Sequence, residues 1–329
     1  MINIYNEYIP KYIRKLTIYA REKAPMPVKK IASFVGLFVG SIINRRADQK
    51  RSKKFSKIII GYYKHKELTK EEKKAIRFLK TNHLFLDANK LMYLSNIVNR
   101  YERKYKKTKV FYDETNNLHY LIHDKKRLYY PREMEEKQIL KTYYQFLSEM
   151  DNDSPHLYTN KLNEIKDKVL FDCGVAEGLF PLTYVDQFKK IVLFECDSNW
   201  VEALKATFSP YSSKVTIVNK YVSNVDSEST ITLDSFYKNH NIIPNFIKMD
   251  IEGFEEKAIE GAINILNNSA ETVCAICTYH TPTAEKNIID KMDSLGYRPE
   301  YNKGYMVFHY EEHFSSPYLR RGVVRFYKK

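Results

Sequence analysis

Val169-Leu170-Phe171-Asp172-Cys173-Gly174-Val175-Ala176-Glu177-Gly178 is the stretch whose reading decides the fold. A short apolar run stops at an acid. Two glycines follow, and then a helix-like pattern begins. Apolar runs without polar alternation mark strands buried on both faces of a parallel sheet. Four more such runs follow: Ile191–Glu195, Val215–Val218, Phe246–Asp250 and Thr272–Tyr279. Helix-length segments separate them. This alternation predicts right-handed crossover units and an α/β, Rossmann-like sheet. Ligands of such sheets bind beyond the carboxyl ends of the strands, so the residues where each run stops are the candidates for chemistry.

The first run ends in a turn built from Asp172, Gly174, Glu177 and Gly178. Glycine allows a tight turn and close backbone approach. The spacing is not G-x-G-x-x-G, and Glu177 adds a carboxylate. A pyrophosphate is disfavoured by both features, which argues against a nicotinamide oxidoreductase. A cationic donor such as S-adenosylmethionine fits better. Glu195 lies 21 residues after Gly174, where an acid meets ribose hydroxyls.

The run Phe246–Asp250 brings Asp250 to its end, with Glu252 and Glu255 just beyond. Three carboxylates at one mouth are costly unless something positive or protic sits there. The last run ends in Cys277-Thr278-Tyr279-His280. Neighbouring placement would set His280 beside Asp250. The two form a general base with its partner, or, with Glu252, ligands for Mg²⁺ or Mn²⁺. His156 and Tyr158, together with Glu255, are candidates for the substrate side of the same mouth. Cys274 and Cys277 are spaced C-x-x-C, but residues three apart on a strand face opposite sides, so they do not share a metal. The four cysteines fit reduced residues in or beside strands, as in a cytoplasmic protein.

Working outward, the chain divides by charge. It carries 54 Lys+Arg against 40 Asp+Glu, a net of +14; residues 1–80 alone are +15, residues 81–150 are +4 and residues 151–329 are −5. The positive charge therefore acts at the N-terminal end. Ile31–Ile43 is apolar and flanked by Lys29, Lys30 and a run from Arg45 to Lys57. It is too short to span a bilayer. An amphipathic helix on an anionic membrane surface fits residues 27–57, peripheral to the inner membrane face. A core or homo-oligomer interface helix with solvated flanks fits as well. No reader motif supports a nucleic-acid partner.

Domain boundaries follow: a basic helical segment at 1–57, an accessory, mostly helical region at 58–150 and the sheet domain at 151–329. Within the accessory region, Thr69 and Glu72 form a capping box opening a helix through Lys80. A second helix is predicted over 84–106, a hairpin around Asn116-Asn117, and a third helix over 132–150.

In order, these pieces resemble the FkbM-type family of S-adenosylmethionine-dependent methyltransferases. The matching residues are Asp172 to Gly178, Leu193-Phe194-Glu195-Cys196-Asp197, Ile231-Thr232-Leu233-Asp234-Ser235-Phe236, Phe246 to Glu255, and Glu260-Gly261-Ala262. The resemblance runs from about Ser154 to the C-terminus. It implies a seven-stranded class I methyltransferase sheet and O-methylation, commonly of sugar or polyketide hydroxyls. Ser154-Pro155-His156 and Pro317-Tyr318-Leu319-Arg320-Arg321-Gly322 look like chains from bacterial surface- or capsular-polysaccharide loci. The acceptor that this implies is a sugar, nucleotide-linked or within a glycan. Glu177 departs from the better-known family form, which has a small or amide residue there. A protein that docks on membranes without methyl transfer is the competing class; it leaves the strand-end acids unexplained.

Overall fold

The computed structural model describes residues 53–82, 93–269, 271–308 and 315–329. The predicted amphipathic stretch Ile31–Ile43 and the start of the helix expected over 84–106 lie outside these residues. Two compact units divide the described chain. One holds residues 53–67 and 76–82, with residues 53–63 helical and Ile59, Tyr63, Ile76 and Leu79 buried. The other holds residues 68–75 and 93–329. Helix α1 (Lys70–Asn82) opens with the expected capping box. Thr69 N–H donates to Glu72 Oε2 (2.8 Å) and Glu72 N–H to Thr69 Oγ1 (3.2 Å).

In the larger unit, α2 (Ile97–Tyr105) is followed by strands β1 (Val110–Asp113), β2 (Leu118–His123) and β3 (Lys126–Tyr130). The expected hairpin is therefore a three-stranded antiparallel sheet. The third strand was hidden because its turn, Asp124-Lys125, takes positive φ at both residues (45° and 66°) without a glycine to announce it. Helix α3 (Glu136–Glu149) buries Ile139, Tyr143 and Leu147 in the same core as Leu121, Leu128 and Tyr130 and one face of the main sheet.

The main sheet and its helices follow in order: β4 (Val169–Cys173), α4 (Leu179–Thr183), β5 (Lys190–Phe194), α5 (Ser198–Phe208), β6 (Val215–Val218), the short pair β7 (Tyr221–Val222) and β8 (Thr230–Ile231), α6 (Leu233–His240), β9 (Phe246–Met249), α7 (Glu255–Glu260), α8 (Ile263–Asn268), β10 (Val273–Cys277), α9 (Ala284–Ser294), β11 (Tyr297–Tyr301) and β12 (Val323–Lys328). The seven strands run in the order β11-β12-β10-β9-β4-β5-β6. Only β12 runs antiparallel to its neighbours. The five expected strands are present within a residue or two of their predicted limits. Strands β11 and β12, whose mixed polar composition gave no signal, complete one edge.

Register fixes the site. Cys173 pairs with Phe194 on one side and Met249 on the other, and Met249 pairs with Ile276. The residues that follow, Gly174, Glu195, Asp250 and then Thr278 to His280, therefore emerge along one sheet edge. The strand order reverses between β4 and its two neighbours, the position where such sheets bind ligands. Cys173, Cys274 and Cys277 are buried and Cys196 is exposed; all four are free thiols. Among the described residues no helix is long and apolar enough to cross a membrane.

Candidate active site

A cavity of about 360 Å³ opens at the tips of β4, β5 and β9. Its wall includes Asp172, Gly174, Glu177, Glu195, Asp250 and Tyr158, six of the residues singled out from the sequence. Glu252 also lines it, with a side chain 91% exposed.

Gly174 is required by the fold before any ligand is considered. Its φ is +77°, and a Cβ there would lie 1.8 Å from the carbonyl oxygen of Asp250. The close approach predicted for a ligand is in fact an approach between the β4 and β9 tips. Gly178 (φ +81°) packs against Leu204 and Phe208 of α5, so its missing side chain makes room for helix packing. Helix α4 is only five residues long, too short to supply a helix-terminus anion site.

Glu195 braces this turn. Its Oε2 accepts from Val175 N–H (3.2 Å) and Ala176 N–H (2.9 Å), and its Oε1 from Asp197 N–H (2.9 Å). These backbone bonds take three of the about four acceptor sites a carboxylate offers, and Glu195 itself lines the cavity.

Lys248, missed in the sequence reading, lies opposite Asp172 in the β4–β9 register. Its Nζ donates to Asp172 Oδ1 and to the Gly174 carbonyl, each at 2.7 Å. Burial opposes the lysine's charge, but Asp172 and Asp250 outweigh it and raise its pKa. Burial also lifts Asp172, to about 6 even with Lys248 beside it, which leaves the pair ionised at pH 7. An opposite-charge pair in two adjacent apolar strands was a legible signal.

Asp250 is the centre of a second network. Tyr158 Oη donates to its Oδ2 (2.9 Å) and Tyr279 Oη to its Oδ1 (3.2 Å). His280 Nε2 lies 3.4 Å from Oδ1 and 3.6 Å from Glu252, while its Nδ1 lies 2.9 Å from Glu255. His156 Nε2 meets Tyr279 Oη at 3.0 Å and stands 3.6 Å from Asp250. Burial works against ionisation of Asp250, but His156, Lys248 and His280 outweigh it and hold the pKa at about 2. Burial in turn drives His156 down to about 4, so at neutral pH the carboxylate is stabilised by Lys248, His280 and the Tyr158 hydroxyl. For His280, burial is outweighed by Glu255, Asp250 and Glu252, and its pKa rises.

The structure thus brings His280 to Asp250, as neighbouring strands required. His280, His156 and Glu255 are not part of the cavity wall; they stand off it and touch Asp250 directly or through a partner. Ligand atoms of Asp250, Glu255 and His280 lie within 4.8 Å of one another. Glu255 faces one ring nitrogen of His280, while Asp250 and Glu252 face the other. Tyr279, at the end of the last apolar run, joins the site through its hydroxyl, and Glu149 of α3, which also lines the cavity, carries no local sequence signal.

The strand order, the single antiparallel strand and the cavity at the β4 tip define an α/β class I methyltransferase-like fold with a mostly helical N-terminal region. Residues 172–299 match the family model described as Methyltransferase FkbM domain. The family implies S-adenosylmethionine as methyl donor. The chain is similar to the crystal structure of Methyltransferase FkbM from Methylobacillus flagellatus KT, at 19% identity and a TM-score of 0.40 over 58% of this chain. It spans 54% of that protein's length. It is also similar to Trm5b from Pyrococcus abyssi (12% identity, 67% of this chain and 62% of that one, TM-score 0.38). A third similarity is to precorrin-6y C5,15-methyltransferase from Geobacter metallireducens GS-15 (13% identity, 51% and 84%, TM-score 0.35). No curated protein sequence matches the chain.

Proposed function

We propose that this methyltransferase is an O-methyltransferase acting on a sugar hydroxyl, carried by an activated nucleotide sugar or a glycan of bacterial surface polysaccharide. The observation that supports it most is Asp250: an ionised carboxylate, 18% exposed, on the wall of the donor cavity, aimed by two tyrosine hydroxyls.

The residues present fit the donor. The cavity is of the size that holds a nucleoside-sized ligand, roughly 300 Å³ or more. Glu195 lines the cavity at the β5 tip, where it would meet a ribose hydroxyl, and a buried oxygen of Glu177 has no hydrogen-bond partner among the described residues. When bound, S-adenosylmethionine supplies an electrophilic methyl group on a sulfonium. Everything else falls to this chain. Gly174 and Gly178 set the turn, and Lys248 holds it to Asp172. Asp250 would accept the hydrogen bond of the acceptor hydroxyl, fix its direction and take its proton as the methyl–oxygen bond forms and the methyl–sulfur bond breaks, leaving the neutral thioether. A carboxylate with a low pKa suffices, because the hydroxyl proton becomes strongly acidic only as that bond develops. Tyr158, on the wall, steadies Asp250 and contacts the acceptor. His280 and His156 act as positioning residues, through Asp250 and Tyr279.

A second reading has a specific observation in its favour. Both ring nitrogens of His280 lack an aligned hydrogen bond. Its Nε2 faces Asp250 and Glu252, while Glu255 sits on Nδ1, the arrangement by which an outer carboxylate orients a metal-bound histidine. In that reading Asp250, Glu252 and His280 would hold Mg²⁺ or Mn²⁺, which would lower the acceptor's pKa. Chelator-treated enzyme that keeps full activity eliminates it.

The test of the main reading is transfer of labelled methyl groups to a panel of sugars, nucleotide sugars and glycans. Transfer to a hydroxyl is expected, and Asp250→Asn and His280→Ala should lose turnover while still binding the donor. Transfer to nitrogen, or unchanged kcat in Asp250→Asn, overturns it. The basic N-terminal segment would hold the chain peripherally at the inner membrane face. Co-sedimentation of the full chain with anionic vesicles, lost on removal of residues 1–52, is the expected outcome; equal sedimentation of both forms contradicts it.

A further inference from the structure

Glu252 on the cavity wall is 91% exposed and solvated; a count over the remaining acids of the wall leaves two without a partner charge. Asp172 has Lys248, Glu195 accepts three backbone N–H groups, and Asp250 has two tyrosines and His280. Among the described residues neither Glu177 nor Glu149 has a lysine or arginine at ion-pair distance; Lys248 faces both but is bonded to Asp172. Glu177 is 4% exposed; its Oε1 takes only the Leu179 N–H at 3.3 Å and its Oε2 has no partner among the described residues. Glu149, at the last position of α3, is equally buried and reaches the same cavity from the segment preceding the sheet domain. Its nearest basic group is His156 Nδ1 at 3.4 Å, on a ring that burial keeps neutral above about pH 4.

Buried carboxyls without a counter-charge are costly, and a fold retains them where a cation arrives. We propose that Glu149 and Glu177 together form the receptor for the positive charge of the methyl donor, so that the site prefers the sulfonium-bearing donor to its neutral demethylated product. This rests on the reading of the cavity as the donor site. It gives the accessory segment a share in cofactor selection, and it explains a glutamate in the glycine turn. It also favours turnover, since loss of the sulfonium charge loosens the spent cofactor.

Proton linkage follows. Burial, Glu177 and Asp250 push Glu149 well above the usual carboxyl range, and burial lifts Glu177 to about 8. Glu177 is therefore largely protonated at pH 7 before a cation binds, and Glu149 is shifted in the same direction by its burial. The groups facing Glu177 are Glu149, Asp172, Lys248 and Tyr130. Those facing Glu149 are His156, Asp250, Glu177, Lys248, Tyr93, Tyr158 and Tyr279. A cation arriving between the two acids ionises them, so binding releases protons below pH 8 and donor affinity rises as pH approaches 8.

The experiment is calorimetry on the full chain with S-adenosylmethionine and S-adenosylhomocysteine, in buffers of different ionisation enthalpy, for wild type, Glu149→Gln and Glu177→Gln. Wild type should release protons on taking up the donor and fewer on taking up the product. Each Gln variant should weaken donor binding by about tenfold or more and product binding by less. Donor uptake without proton release by wild type overturns the proposal and needs no variant to show it. Unchanged affinities and an unchanged donor-to-product preference in both variants overturn it too. A wild-type chain that binds neither molecule refutes the donor-site reading itself.

Discussion

Lys248→Met is the substitution whose consequence the structure states most fully. The side chain is buried, and its ammonium holds two acceptors that have no substitute: Asp172 Oδ1 and the Gly174 carbonyl, both at 2.7 Å. Methionine fills much the same volume, so the packing loss is small. What remains is a carboxylate with no counter-charge at the centre of the sheet. Breaking a buried pair by removing one partner costs about 3–5 kcal/mol. Asp172 already titrates at about 6 with the lysine in place. Without it, Asp172 would be protonated at pH 7, which keeps the loss at the lower end of that range. Pairing the change with Asp172→Leu removes both charges, and an apolar replacement of a buried pair is commonly close to neutral. Urea unfolding at pH 7, followed by the fluorescence of Trp200, the chain's single tryptophan and part of the cavity wall, reads both variants. The single variant should lose about 3 kcal/mol and the double variant should recover most of it. Donor binding should stay weak in both, because the Gly174 carbonyl is no longer held. A loss below about 1 kcal/mol in the single variant, or a double variant no more stable than the single, refutes the reasoning.

Two further outcomes are expected. Glu177→Gln should stabilise the ligand-free chain in a pH-dependent way: the folded pKa is raised from 4.5 to about 8, so wild-type stability falls as pH rises through that window. The variant's advantage should grow by on the order of 4 kcal/mol between pH 5 and 8.5 in urea titrations, and a constant difference contradicts it. Gly174→Ala should lower stability by well over 2 kcal/mol and abolish donor binding, since main chain meets its Cβ; Gly296→Ala, with φ +78° but its nearest neighbour at 3.9 Å, should cost only about 1–2 kcal/mol of backbone strain. Thermal melts that rank the two glycines equally count against this account of the turn.

The parts of the molecule legible in the sequence are those where one physical rule dominates. Strands β4, β5, β9 and β10 are buried on both faces and β6 is a half-buried edge strand; all five are mostly apolar runs whose ends are visible. Asp250 and His280 could be paired in advance because chain order and the crossover rule make their strands neighbours. Glu195 could be placed near the turn, but its grip on the Val175 and Ala176 N–H groups depends on three-dimensional curvature. Strands β11 and β12 were missed because Arg298, Glu300, Arg325 and Lys328 break the pattern; Glu300 and Arg325 pair with each other at 2.6 Å, a long-range compensation no local window contains. Glu149 was invisible for the same reason: at the end of an amphipathic helix a glutamate reads as solvated, and only the packing of α3 on the sheet shows it buried.

The central claim is that the tips of β4, β5 and β9 form one cavity that takes up a methyl donor beside Asp250. Calorimetric titration of the full chain with S-adenosylmethionine tests it most directly, run alongside Gly174→Ala. One molecule bound per wild-type chain and none by the variant is the predicted result. No uptake by the wild type, or equal uptake by both, contradicts it.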